Sequence, residues 1–161
     1  MKHATNHIQT RYHTFEMNTE QNKNIRERWI NSLFELANLE YQKRLWNAEI
    51  QNEIGDYTEC VCKYFDDLNL DNGYAEYISD GIISKNDAEI VTKMHNEFRN
   101  YTERTEKRNL SDKKVLQDIE WKNFTELALE TWNKLKIETE SKELRNLMLE
   151  LEKNYEIKNA R

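Results

Sequence analysis

Proline is missing from this 161-residue chain, and glycine occurs only at Gly55, Gly73 and Gly81. These residues interrupt helices and supply the tight turns of antiparallel sheets, so their scarcity argues against a strand-rich fold and leaves long helices unbroken. The predicted class is all-α, a single-domain helical bundle of about six helices. Cysteine is equally sparse. Cys60 and Cys62 are too few and too close together for a disulfide framework or a four-ligand zinc site, and read as free thiols. No run approaches the ~18 consecutive apolar residues of a membrane span. The opening stretch MKHATNHIQTRYHTFEM lacks the apolar core of a signal peptide, so the expected location is cytoplasmic. His-Glu-x-x-His, Glu-x-x-His, Gly-x-Ser-x-Gly and glycine-rich phosphate loops are absent, so enzymatic chemistry has no visible carrier. The chain is read as a non-enzyme with no cofactor.

What it does contain is core-building material. Four Trp, eight Tyr and five Phe accompany a composition that is 37% hydrophobic and 34% charged. A disordered chain generally lacks such aromatics, and this length suits one domain. A first helix is predicted over residues 19–47, with Ile25, Trp29, Leu33, Leu36, Ala37 and Leu45 at helical spacing. Asp56 begins a second, and Gly73 and Gly81 bracket a short third at residues 74–79. Ser84 with Asp87 resembles a capping box before the stripe Ala88, Val91, Met94, His95, Phe98 and Tyr101. Ser111 or Asp112 caps a short turn, and Trp121, Phe124, Ala128, Trp132 and Leu135 define another core helix. A last helix is predicted at about residues 141–156. Residues 1–17 are polar and lack periodicity, and are expected to form a flexible arm ahead of a helical domain at 18–161.

Charge is distributed unevenly. Between residues 53 and 80, eight acids (Glu53, Asp56, Glu59, Asp66, Asp67, Asp71, Glu76 and Asp80) face only Lys63, a net −7; the whole chain is −6, so the remainder is nearly neutral. Placed at about 100° per residue, Tyr57, Cys60, Val61, Tyr64, Phe65 and Leu68 fall on one side of a helix and Asp56, Glu59, Asp66 and Asp67 on the other. The apolar side can pack while the carboxylates point outward. Net acidity disfavours phosphate binding, which depends on lysine and arginine, so direct nucleic-acid contact is not expected and a basic protein partner is.

Other constellations are weaker. Asp67, Asn69 and Asp71 imitate alternate calcium ligands, but an EF-hand begun at Asp67 needs glycine where Asn72 stands and glutamate where Ile78 stands. His3, His7 and His13 have no acidic support for a metal. His95, beside Met94 and Phe98, reads as a hydrogen-bonded core histidine. Residues 104–114 carry a net +3 from Arg104, Lys107, Arg108, Lys113 and Lys114 against Glu106 and Asp112, read as a solvated loop.

WINSLFELANLEYQKRLW at residues 29–46 and DYTECVCKYFDDLNLDNGY at 56–74 together resemble a family of small helical bacterial proteins that includes immunity proteins of contact-dependent growth inhibition and related polymorphic toxin systems. The resemblance continues more weakly through SKNDAEIVTKMHNEFRNY and VLQDIEWKNFTELALETWNKL, spanning about residues 29–135 and omitting both termini. It implies a protein that neutralises a cognate toxin domain, often a nuclease, with an EndoU-like RNase as the favoured class. An acidic helix can occupy a nuclease's basic substrate surface in place of phosphates. The predicted partner-binding residues are Glu59, Asp66, Asp67 and Asp71, with Tyr74 and Tyr77 as aromatic anchors. The alternatives are a helical regulator or adaptor using the 104–114 loop, and a small enzyme centred on His95.

Overall fold

The computed structural model describes residues 4–155, with side chains described from residue 19 onward. Among the described residues the chain forms nine α-helices and no strand, as the scarcity of breakers predicts. They are α1 (Ala4–Ala37), α2 (Leu39–Trp46), α3 (Tyr57–Cys62), α4 (Ala75–Ser79), α5 (Lys85–Glu103), α6 (Thr105–Arg108), α7 (Asp112–Gln117), α8 (Ile119–Glu138) and α9 (Lys142–Asn154). A single π-helical turn, Lys63–Asp67, extends α3. Helix α8 is central, packing on α1, α5 and α9.

The first helix differs from expectation at both ends. It starts at Ala4, so the backbone of residues 4–17, expected as an arm outside the bundle, continues α1; no proline or glycine stands there to stop it. Residues 1–3, with His3, and the side chains of His7 and His13 lie outside the described residues. The helix also breaks at Asn38, whose backbone is extended (φ −130°, ψ 96°). Gln42 makes that break tolerable. Fully buried, it donates to the Glu35 and Leu36 carbonyls at 2.8 and 3.3 Å and accepts the Trp121 indole N–H at 2.8 Å. Two of the carbonyls at the end of α1 are thereby satisfied, Asn38 Nδ2 donates to a third, that of Phe34, at 2.7 Å, and the α1–α2 corner is fastened to α8.

Capping fixes the other boundaries. Asp56, Ser84, Ser111 and Ser141 accept from the N–H groups of Glu59, Asp87, Lys114 and Leu144 at 2.7 to 3.3 Å. Asn69 (φ 53°) ends the π turn with Leu70 N–H bonded to Phe65 O and its own N–H to Asp66 O. Gly81 (φ 70°) ends α4 with the same pair of bonds, to Tyr77 and Ile78. Both are left-handed helix stops. The core between helices is aromatic. Phe98 stacks on Phe65 and Phe124 at 4.9 and 5.2 Å, and Trp121 meets Tyr57 edge-on at 5.5 Å.

Candidate functional site

The outward side of α3 and its π turn is acidic. Tyr57, Cys60, Tyr64, Phe65 and Leu68 are buried, Val61 is half-buried, and Asp56, Glu59, Asp66 and Asp67 are exposed, as the helical projection requires. Not every carboxylate nearby is free. Asp56 is spent on its cap, and Glu53 accepts the hydroxyls of Tyr41 (2.9 Å) and Tyr155. Asp71 is exposed but pairs with Arg99 at 3.4 Å, and Arg99 in turn lies over the Phe65 ring at 5.2 Å. Glu59, Asp66, Asp67 and Asp80 have no lysine or arginine within ion-pair distance among the described residues.

Tyr74 and Tyr77 do not join this surface. They are 7% and 4% exposed, and their hydroxyls are used internally. Tyr74 accepts the Trp29 indole N–H at 2.9 Å and lies 2.7 Å from the Tyr64 hydroxyl, which lies 2.9 Å from His95 Nδ1. Tyr77 donates to the Leu68 carbonyl at 2.6 Å. A buried tyrosine whose hydroxyl finds a partner gives up little, so both rings pack inward and lock the 68–83 segment to α1 and α5. The same chain holds His95 as a core histidine. Burial, and then the Arg99 guanidinium, push its pKa below the ordinary value while Asp71 pulls the other way.

A cleft of about 410 Å³ opens at the edge of the acidic face. Arg28, Lys63 and Asp67 stand at it together with Phe34, Tyr155 and Glu35. Glu35 is 4% exposed, and its Oε1 accepts the Trp46 indole N–H at 2.9 Å. Burial drives its carboxyl above the usual range, opposed by the Trp46 hydrogen bond and the Lys63 charge. Neighbouring Cys60 is buried, and burial together with Glu35 pushes its thiol upward, the opposite of an activated nucleophile. Glu35 was not anticipated from sequence. The available signal was its place in Leu33-Phe34-Glu35-Leu36-Ala37, where apolar residues at consecutive positions cover more than one helix face.

The basic segment is organised differently. Arg104 pairs with Glu120 and Lys107 with Asp118, and both cations stand over the Tyr101 ring at 5.5 and 5.2 Å. Of its five bases, Arg108, Lys113 and Lys114 remain exposed without an ion pair among the described residues. No group of three or more His, Cys, Asp or Glu among the described residues is arranged to hold a metal. None of the described helices is long and apolar enough to cross a membrane.

Residues 21–143 match the family described as a domain of unknown function, DUF7945, and the chain belongs to that family. No curated protein and no solved structure matches it.

Proposed function

We propose that this protein is an immunity protein that binds and neutralises a cognate toxin domain in the cytoplasm of the cell that makes both. The toxin is a nuclease with a basic substrate surface, an EndoU-like RNase being the favoured class. The observation that carries this reading is the exposed acidic face of α3 and its π turn, where Glu59, Asp66 and Asp67 stand without cationic partners among the described residues, on a segment whose other side is committed to the core. Carboxylates held on a rigid element and left unneutralised are suited to meet a phosphate-binding surface, and they steer encounter as well as hold it. Asp71, tied to Arg99, lies at the margin of the patch. With Tyr74 and Tyr77 buried, the desolvated anchor that charge alone rarely provides falls to the neighbouring cleft, where half-buried Tyr155 and exposed Arg28 stand.

The experiment is co-purification of the protein with the product of the gene next to its own, followed by a nuclease assay of that product with and without the protein. A stable complex with suppressed cleavage is expected. A neighbouring product that neither binds nor cuts nucleic acid overturns the reading.

A further inference from the structure

On the far side of α1 from that cleft, the N-termini of α5 and α9 meet across a second one, of about 400 Å³. Arg26, Asp87, Glu140 and Glu143 stand at it, with Ile83 and Leu144 as apolar wall. Asp87 is 2% exposed. Its Oδ2 accepts the Thr139 hydroxyl at 3.2 Å, while its Oδ1 has no hydrogen-bond donor among the described residues. Glu143 repeats the pattern, with Oε2 on the Arg26 Nε–H at 3.0 Å and Oε1 without a donor among the described residues. Buried acceptors without a donor are rare in folded proteins, and here two carboxylates bordering one cleft each leave an oxygen unmatched.

We propose that this cleft binds an alkylammonium or alkylguanidinium cation, whose N–H groups supply the donors that Asp87 Oδ1 and Glu143 Oε1 lack. The charge fits one positive group. Asp87, Glu140 and Glu143 contribute three negatives, offset by Arg26 and by about half a positive charge from each of the two helix N-termini, leaving roughly one negative charge unmatched. A divalent metal fits poorly, because no metal-holding set of carboxylates is present among the described residues. A nitrogen cation presents separate N–H donors to separate acceptors, and its methylenes can lie on Ile83 and Leu144. Glu143 has about a third of its side chain exposed and can rotate to meet an entering donor. The cation is either a free diamine or the Lys or Arg side chain of a peptide.

The test is an NMR titration of the full chain, following the amides of residues 84–88 and 141–144. The probes are putrescine, methylguanidinium and the tripeptide Gly-Arg-Gly, with tetramethylammonium as a cation that cannot donate a hydrogen bond. Saturable shifts with the donors and none with tetramethylammonium are expected, together with affinity weakened about tenfold or more in Asp87→Asn and in Glu143→Gln. Tighter binding of putrescine identifies a free amine as the ligand class, and tighter binding of the tripeptide a side chain. Should Asp87→Asn not fold, Glu143→Gln, on a partly exposed side chain, decides alone. Shifts that do not saturate, that tetramethylammonium reproduces, or that persist in Glu143→Gln mean that only water satisfies these oxygens, and overturn the proposal.

Discussion

The acidic segment at residues 53–80 and the basic one at 104–114 are the two charge concentrations of this molecule, and the fold treats them differently. In the basic segment two of the five cations, Arg104 and Lys107, are consumed locally by Glu120 and Asp118. Lys107 and Asp118 each have about an eighth of their side chain exposed and face each other, Asp118 also accepts the Tyr101 hydroxyl at 2.8 Å, and its other oxygen caps α8 through the Glu120 N–H. In the acidic segment Glu53, Asp56, Asp71 and Glu76 are tied into the structure, while Glu59, Asp66 and Asp67 project from a helix whose other side is packed on the core. The charges of the basic segment that are half-buried have partners; Glu59, Asp66 and Asp67 are exposed and have no cationic partner among the described residues.

The largest expected effect lies on the paired side. Asp118→Ala removes a helix cap, leaves half-buried Lys107 with only the more distant Glu120 carboxylate at 3.8 Å and strands the Tyr101 hydroxyl, so we expect a loss of ~2–4 kcal/mol in chemical denaturation. The effect depends on pH in a defined direction. Burial pushes the Asp118 carboxyl upward, but the hydrogen bonds from Lys107, Tyr101 and the Glu120 N–H outweigh it and hold the pKa below its ordinary 3.8. A folded-state pKa lowered in this way contributes stability that is fully present above 3.8 and is lost as pH falls through the folded value. The gap between wild type and Asp118→Asn should therefore narrow in acid. A gap independent of pH would show that the cap geometry, not the carboxylate charge, is what matters.

Glu35 supplies the next effect, with the opposite sign. Its folded pKa is raised above 4.5, so the stability linked to its protonated form is complete below 4.5 and disappears as pH rises through the folded value. Glu35→Gln keeps an acceptor for the Trp46 N–H and removes the buried ionisation. Melting curves should show the variant more stable than wild type at about pH 8, by ~1 kcal/mol, and nearly equal to it at about pH 4. A variant less stable at both pH values would mean that the ionised carboxylate is a stabilising partner of Lys63.

The smallest stability effect belongs to the acidic face. The triple variant Glu59→Gln, Asp66→Asn, Asp67→Asn should unfold within ~0.5 kcal/mol of wild type, because exposed carboxylates without partners contribute little to the folded state. A loss well above that would reveal structural partners for these groups and erase the contrast with Asp118.

Much of this arrangement was legible in the sequence, and the limits are physical. The caps at Asp56, Ser84, Ser111 and Ser141 and the apolar stripes of α5 and α8 depend on short-range bonds and on the 3.6-residue period, both encoded locally. The break at Asn38 was not legible, since asparagine is tolerated inside helices and the compensating bonds come from Gln42, whose other partner Trp121 is far along the chain. Tyr74 and Tyr77 misled because a five-residue helix is too short to show which side faces in; their burial is decided by Trp29, Tyr64 and the Leu68 carbonyl. The outward carboxylates of α3 were read correctly, but Arg99's hold on Asp71 depends on α5 packing beside the loop.

The central claim, that the unpaired acidic face is a docking surface, is tested most directly by association kinetics at low and high salt. Wild type and Glu59→Lys, Asp66→Lys, Asp67→Lys would be compared on the immobilised product of the neighbouring gene, with melting curves to confirm that both are folded. Steering between opposite charges is screened over ~8–10 Å at ordinary ionic strength, so wild-type association should slow markedly as salt rises. The folded charge-reversal variant should bind more slowly at low salt and lose most of that salt dependence. Equal association rates and equal salt dependence for the two proteins would contradict the account and leave these carboxylates as solvated surface.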